Sequence, residues 1–313
     1  MGEPFHFSKL SRQAKSIYRA LDQKMTLHPP KNGVYHMRIN NVTSAMSDAA
    51  DAMQAIHLDK PEYFFLSTHY EISLLNDRLT ITCPTLYSPN QIKRLRPLLI
   101  NAISQLTAGL ENSDEWERER CVYERIFKTK TYGNINEPEN QNILNAALRN
   151  RGVCSGYSKL LALALRNLKI PCILVSGYGE NENHCWNMVK IDGKVYHVDI
   201  TWEPDLDGHC DYSYFNLTDS EIKRDHIVYT KGLPSANSIN GGFHFRKGTL
   251  FSNKKEAVKF VEKSLWSGEK VVRVRLTDNI SVMSFHQMLR SLSFCSYKSI
   301  INEKRNSVMI IRD

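Results

Sequence analysis

The run Tyr157 to Leu168, YSKLLALALRNL, is apolar on nearly every side, and it constrains the fold more than any other stretch. A helix of this composition cannot lie on a surface, so the rest of the domain must be built around it. It stops before Pro171, which cannot continue a helix, and Cys172 to Ser176 reads as a short buried strand. His184 to Ile191 and Lys194 to Trp202 follow, joined by Asp192-Gly193. Asp-Gly between two β-rich runs is the strongest short hairpin signal. A central helix packed on an antiparallel sheet is therefore expected.

The first hundred residues mix helix and strand. Helices are expected over Ser8 to Leu21 and Ala45 to Ile56, and strands over Glu62 to Ser73 and Arg78 to Cys83. Ser88-Pro89-Asn90-Gln91 carries a capping box and opens a helix to about Leu106. Ser113-Asp114-Glu115-Trp116 opens another, to about Phe127, and Lys130 to Gln141 reads as a loop. After a Gly/Asn/Ser linker, Ser235 to Gly242, the tail reads strand (249–251), helix (254–266), strand (270–276), helix (281–292) and strands (297–311). The expected division is 1–110, an N-terminal α/β accessory region; 111–236, the core; and 237–313, a small basic α/β domain.

With 313 residues, 42% hydrophobic and 24% charged, the chain can bury a core unaided and is neither disordered nor fibrous. Its longest apolar stretch, Leu160 to Leu165, is too short to cross a membrane. The N-terminus lacks a signal peptide's apolar core, and His6 breaks the myristoylation pattern, so a cytoplasmic location is expected. Seven cysteines without a CxxC pair form neither a zinc framework nor a disulfide scaffold. The net charge of +8 resides wholly in residues 241–313, which hold 14 Lys+Arg against 6 Asp+Glu.

Cys154 lies in Arg151-Gly152-Val153-Cys154-Ser155-Gly156, just before the central helix. The helix N-terminus favours a thiolate there, and the Cys154 N–H could donate to a developing oxyanion. Gly152 and Gly156 would let a substrate backbone approach. With Asp192-Gly193 as a two-residue turn, 191 pairs with 194, 189 with 196, 186 with 199 and 184 with 201. His184 and Asp199 then share a face as diagonal neighbours. Cys185, Val189, Ile191, Tyr196, Val198, Ile200 and Trp202 form the opposite, core face, so His184 and Asp199 are expected to point away from the core. A carboxylate beside an imidazole fixes its tautomer and leaves the other nitrogen for a thiol. His197 shares the face of Asp199 and is a rival base. Structural cysteines before helices and satisfied His–Asp pairs are common, so spacing alone leaves a triad and a bland arrangement equally open.

Residues of about 143–202 resemble the transglutaminase-like superfamily, a papain-related fold. The resemblance rests on Gly152-Val153-Cys154-Ser155-Gly156-Tyr157-Ser158, Ile170-Pro171, His184-Cys185-Trp186-Asn187, and the run from Asp192-Gly193 through Tyr196-His197-Val198-Asp199-Ile200-Thr201-Trp202. It departs at Val195, where the family often has Trp. The resemblance implies an α+β, papain-like core in which Cys154 is nucleophile, His184 base and Asp199 orienter. It further implies a thiol enzyme on peptide or side-chain amides, a cysteine protease first, with transglutaminase or deamidase as alternatives. A non-catalytic peptide-binding scaffold is the alternative of another class. Tyr132, Asn134 and Asn145 are candidates for a second oxyanion donor, of which Tyr132 is favoured, and Trp186 and Trp202 for cleft lining. Relatives that remove glycans carry paired CxxC motifs, absent here.

No cofactor and no metal is expected. His184-Cys185 and His209-Cys210 hint at zinc, but Cys185 should face the core while His184 does not. His226, after an acidic turn, reads as a surface or packing residue. In the tail, Arg273 and Arg275 share a strand face and Lys254, Lys255, Lys259 and Lys263 stripe a helix. They read first as solvated faces, then as a docking surface for an acidic partner or anionic membrane. No aromatic platform for RNA accompanies them.

Overall fold

The computed structural model describes residues 3–40, 46–133, 141–290 and 296–312. Asn134, Ala45, Cys295 and the end of the helix expected to reach residue 292 lie outside them.

The N-terminal region opens with α1 (Phe5–Lys9) and α2 (Arg12–Leu27). The single helix expected over Ser8–Leu21 is broken at Ser11, whose hydroxyl caps α2 by accepting from the Ala14 N–H at 3.0 Å. Next come β1 (Val34–Ile39), α3 (Met46–Asp59), β2 (Glu71–Leu75) and β3 (Arg78–Pro84), forming an antiparallel sheet in the order β1-β3-β2. The strand expected over Glu62–Ser73 survives only at its end. Tyr63, Phe64 and Phe65 are buried in turns, their rings packed on one another at centroid distances of 5.5 and 5.6 Å. Aromatic enrichment there signals core, and strand only by association. Then α4 (Pro89–Thr107) starts at the expected Ser88–Gln91 capping box.

The middle of the chain runs α5 (Glu115–Thr129), β4 (Thr131–Tyr132), α6 (Ile143–Arg149), β5 (Arg151–Gly152) and α7 (Cys154–Asn167). It continues through β6 (Cys172–Gly179), β7 (Glu182–Ile191), β8 (Lys194–Val198), β9 (Asp205–Leu206), β10 (His209–Cys210), α8 (Asp219–Ile222) and β11 (His226–Val228). The main sheet is antiparallel, ordered β11-β6-β7-β8. The hairpin register is the expected one, with Ile191 opposite Lys194 and Val189 opposite Tyr196, but its ladder ends at Asn187–Val198. Beyond Val198 the chain peels away, and the Asp199 N–H donates instead to Tyr214 O.

One sheet face carries α7, with Leu161 and Leu165 packed among Leu174, Val189 and Ile191. This packing runs unbroken from Phe7 to Phe243. The other face was expected to be free of core, yet Val175, Trp186, Met188, Tyr214, Leu217 and Ile222 form a second apolar cluster on it. The segment after Val198 folds back over that face. Gly177, opposite His184, is required by this layering: a Cβ there would sit 2.1 Å from Ile227 O and 2.5 Å from the Trp186 ring.

Within the large core, Glu119 on α5 is fully buried, bonded by Asn216 at 2.8 Å. Burial pushes its pKa up to about 8, against the help of Asn216 and Arg246. Its protonated form is the one folding favours, so this contribution to stability is complete below about pH 4.5 and is lost as pH rises through about 8. Glu119→Gln is therefore expected to raise stability by about 1–3 kcal/mol at pH 9 and to change little at pH 4.5. Thermal melts at the two pH values check this; equal shifts at both would contradict it.

The expected linker is a strap pinned to the core, with the Trp116 indole N–H donating to Gly241 O at 2.7 Å and Ala236 fully buried. Beyond it come α9 (Phe243–Arg246), β12 (Leu250–Phe251), α10 (Lys254–Trp266), β13 (Val271–Leu276), α11 (Val282–Arg290), β14 (Tyr297–Asn302) and β15 (Ser307–Arg312). This sheet, ordered β12-β13-β15-β14, has its own apolar core with α10 and α11. Arg273 and Arg275 are not a solvated face. Arg273 donates to Cys210 O, and Arg275 pairs with Glu221, each at 2.7 Å. Part of the basic tail thus finds its acidic partner within this chain.

Candidate active site

Cys154 is the first residue of α7, half-buried, with Val153 at the N-cap. Three side-chain bonds hold it against the sheet. Ser158 donates to Cys185 O at 2.9 Å, and Asn187 donates to Ser158 O at 3.0 Å, tying α7 to β7 one residue from His184. The Tyr157 hydroxyl, at the other side, accepts from the Thr131 N–H at 2.8 Å and fixes the paired β4 and β5 beside the thiol.

His184 and Asp199 do come together, and they are buried: His184 Nε2 lies 2.6 Å from Asp199 Oδ2, with side chains 1% and 0% exposed. The expectation that both point away from core fails because the segment after Val198 roofs them. Asp199 Oδ1 accepts from the Thr201 N–H at 2.9 Å, the Thr201 hydroxyl at 2.7 Å and the Trp202 N–H at 3.2 Å. This carboxylate is fixed by the very turn that ends the strand. Burial opposes its charge, but His184 and His226 hold its pKa well below the usual carboxylate range.

For His184, burial opposes the charged ring, yet Asp199 and then Cys154 outweigh it and push the pKa up to about 10. Its Nδ1 has no hydrogen-bond partner, and Cys154 stands among the groups that raise its pKa. The ring is held between Trp186, stacked at 5.9 Å, and Trp202, tilted at 5.4 Å. An imidazole and a carboxylate are therefore paired in the fold that also carries Cys154 at the start of α7.

His197, the rival base, is committed elsewhere. Its Nε2 lies 3.0 Å from Asp219 Oδ1, its Nδ1 accepts from the Trp186 indole at 3.1 Å, and burial lowers its pKa. Trp186, Gly152 and Gly156, expected along a cleft, are buried. Trp186 backs the His184 ring, Gly152 pairs with Tyr132 through β5, and Gly156 lies in the first turn of α7. Tyr132 is half exposed, and its hydroxyl is close enough to the Cys154 backbone N–H to be influenced by it. Asn145 is buried on α6, away from any hydrogen bond with the triad. Trp202, expected on the core face, sits on the opposite face with the second cluster.

Tyr132, Thr201, Trp202, Tyr214, Asn302 and Lys304 border an open cleft of about 420 Å³ beside the triad, with Glu180 and Glu182 on its rim. The last two of the six come from the C-terminal unit. Spacing gave no sign of them, nor of His226, whose Nε2 reaches Asp199 Oδ2 at 3.1 Å. Potential ligand atoms of His184, Asp199 and His226 lie within 4.8 Å of one another, and both histidines bond to Asp199. Among the described residues no cysteine is in a disulfide.

Residues 101–200 match the family model described as the transglutaminase-like superfamily. No curated protein matches the sequence significantly. Among solved structures, a TGase aligns at 15% identity and a TM-score of 0.32, covering 59% of this chain and 57% of that one. The periplasmic domain of TgpA from Pseudomonas aeruginosa aligns at 15% identity and 0.27, covering 43% and 62%. This chain thus spans less than two thirds of either.

Proposed function

We propose that the transglutaminase-like domain at residues 101–200 makes this chain a thiol-dependent acyl-transfer enzyme acting on peptide or side-chain amide bonds, with hydrolysis as its main outcome. The observation that supports this reading is the buried His184–Asp199 pair, with His184 bonded only on its Asp199 side and Cys154 opening α7. Asp199 and Cys154 outweigh burial in raising the His184 pKa. The Cys154 thiolate attacks the amide carbonyl carbon, forming the C–S bond. The carbonyl oxygen takes the place of the Tyr132 hydroxyl at the Cys154 N–H, and that hydroxyl turns to donate to the oxyanion. His184 gives its Nδ1 proton to the leaving amine as the C–N bond breaks, which leaves a thioester. Water then attacks, losing its proton to His184, and the carboxylic acid departs as the thiolate and imidazolium reform.

An amine entering in place of water would give transglutamination, and a glutamine side chain as substrate would give deamidation. Water is favoured because the cleft is open and its rim, with Glu180, Glu182 and Lys304, is polar. Incubating wild type and Cys154→Ala with a proteome-derived peptide library, with and without a primary amine, separates these outcomes. New peptide termini, absent with Cys154→Ala, are expected. A one-dalton gain would mean deamidase and amine adducts transglutaminase, while no difference between the two proteins would leave only a peptide-binding scaffold.

A further inference from the structure

His226 begins β11, and its side chain is fully buried. Both ring nitrogens face carboxylates: Nε2 lies 3.1 Å from Asp199 Oδ2 and Nδ1 2.7 Å from Asp225 Oδ1. An ionised carboxylate only accepts, so each nitrogen must carry a proton and the ring is an imidazolium. Asp225 is fixed in turn by Arg305, whose Nη2 reaches its two oxygens at 2.8 and 2.9 Å. Arg305 is fully buried, stands in the turn between β14 and β15, and lays its guanidinium 4.1 Å from the Tyr214 ring. A line of alternating charge therefore runs from the C-terminal unit to the nucleophile: Arg305, Asp225, His226, Asp199, His184, Cys154.

We propose that His226 is a positioning residue of this site, a second imidazolium on Asp199 held by Arg305 through Asp225, by which the C-terminal unit sets the protonation of the Cys154–His184 pair. The inference rests on the thiol-enzyme reading above. Its physical content is Coulombic. With His184 alone on Asp199, the carboxylate's full charge would hold the His184 proton and make it a poor acid toward a leaving amine. A fixed cation on the same oxygen offsets that charge, and it favours the thiolate as well. The charged and titratable groups facing His226 are Asp199, Asp225 beside it, His184 on β7, His197 on β8, Tyr214, and Arg305 behind Asp225. Burial opposes the charge on His226, but the two aspartates outweigh it and raise its pKa.

The test is the rate at which iodoacetamide alkylates Cys154 in the full-length protein between pH 4 and 10, for wild type, His226→Gln and Arg305→Gln. No substrate is needed. Removing the cation 5.3 Å from the His184 ring is expected to move the thiolate midpoint up by about one to two pH units, with Arg305→Gln moving it less in the same direction. Lost packing alone would lower rates without moving the midpoint. A low wild-type midpoint unchanged in both folded variants overturns the inference and leaves the thiol-enzyme reading intact. A wild-type Cys154 with the midpoint of an ordinary thiol overturns both. Should neither variant fold, nitrogen-15 NMR of histidine-labelled wild type decides. Two histidines doubly protonated at pH 8 are expected, and fewer than two overturns the inference.

Discussion

Exchanging Asp199 for asparagine is expected to lower acyl-transfer turnover by on the order of 10³–10⁴-fold. Asp199 accepts on both oxygens, from two imidazoles on Oδ2 and from Thr201 and Trp202 on Oδ1. An asparagine amide has one acceptor oxygen and one donor nitrogen. Whichever way it turns, its NH₂ faces donors, so either both histidines or the Thr201–Trp202 turn lose their partner. With the oxygen kept on the turn, His184 loses the group that fixes its tautomer and stabilises its charge. With the oxygen turned to the histidines, the turn ending β8 is left with buried N–H groups unmet. Stability should therefore fall together with activity, by about 2–4 kcal/mol. Steady-state turnover and a denaturant melt measure the two losses. A folded variant within tenfold of wild type would remove Asp199 from the role of orienter.

The second large effect concerns stability first. Glu203 is 2% exposed and accepts from the Tyr123 hydroxyl at 2.8 Å and from the N–H groups of Asp211, Ser213 and Tyr214 at 3.0, 3.2 and 2.9 Å. Lys130 closes the same knot by donating to Ile200 O and Glu203 O, each at 2.7 Å. This carboxylate organises the segment that roofs the sheet, and Tyr214 O in turn receives the Asp199 N–H. Glu203→Ala would leave four buried donors unpaired, at an expected cost of about 3–5 kcal/mol. Chemical denaturation gives the number, and a loss below about 1 kcal/mol would show that the segment is held by its apolar contacts instead.

The parts of this fold legible in the sequence are those with local physical signatures. The all-round apolar run marked α7, Asp192-Gly193 set the register of the hairpin, and Ser88–Gln91 located the start of α4. Position on those elements made Cys154, His184 and Asp199 candidates that the resemblance singled out, and the structure pairs His184 with Asp199. What stayed hidden depends on long-range packing. Period-two alternation assigns one face of β7 to the core, but both faces are buried because the segment after Val198 folds back over the sheet. Trp186, a candidate for cleft lining, is therefore buried behind His184, whereas Trp202, a candidate for both cleft and core, borders the cleft. His226 is separated from Asp199 by 27 positions, and Arg305 from Asp225 by 80, and nothing local marks a histidine or arginine as buried among carboxylates. The basic tail was opaque in part for a related reason: composition counts charges and does not show that Arg275 and Arg305 are paired with Glu221 and Asp225.

In the proposed mechanism Cys154 and His184 form a reactive thiolate–imidazolium pair. The most direct measurement is residue-resolved alkylation by iodoacetamide at pH 6, read by peptide mass spectrometry in wild type and His184→Gln. Cys121 is the internal control, since it is also half-buried and burial raises its pKa. Cys154 is expected to react at least about tenfold faster than Cys121, and His184→Gln to remove the difference. Equal rates in wild type, or an advantage that survives His184→Gln, would contradict that mechanism.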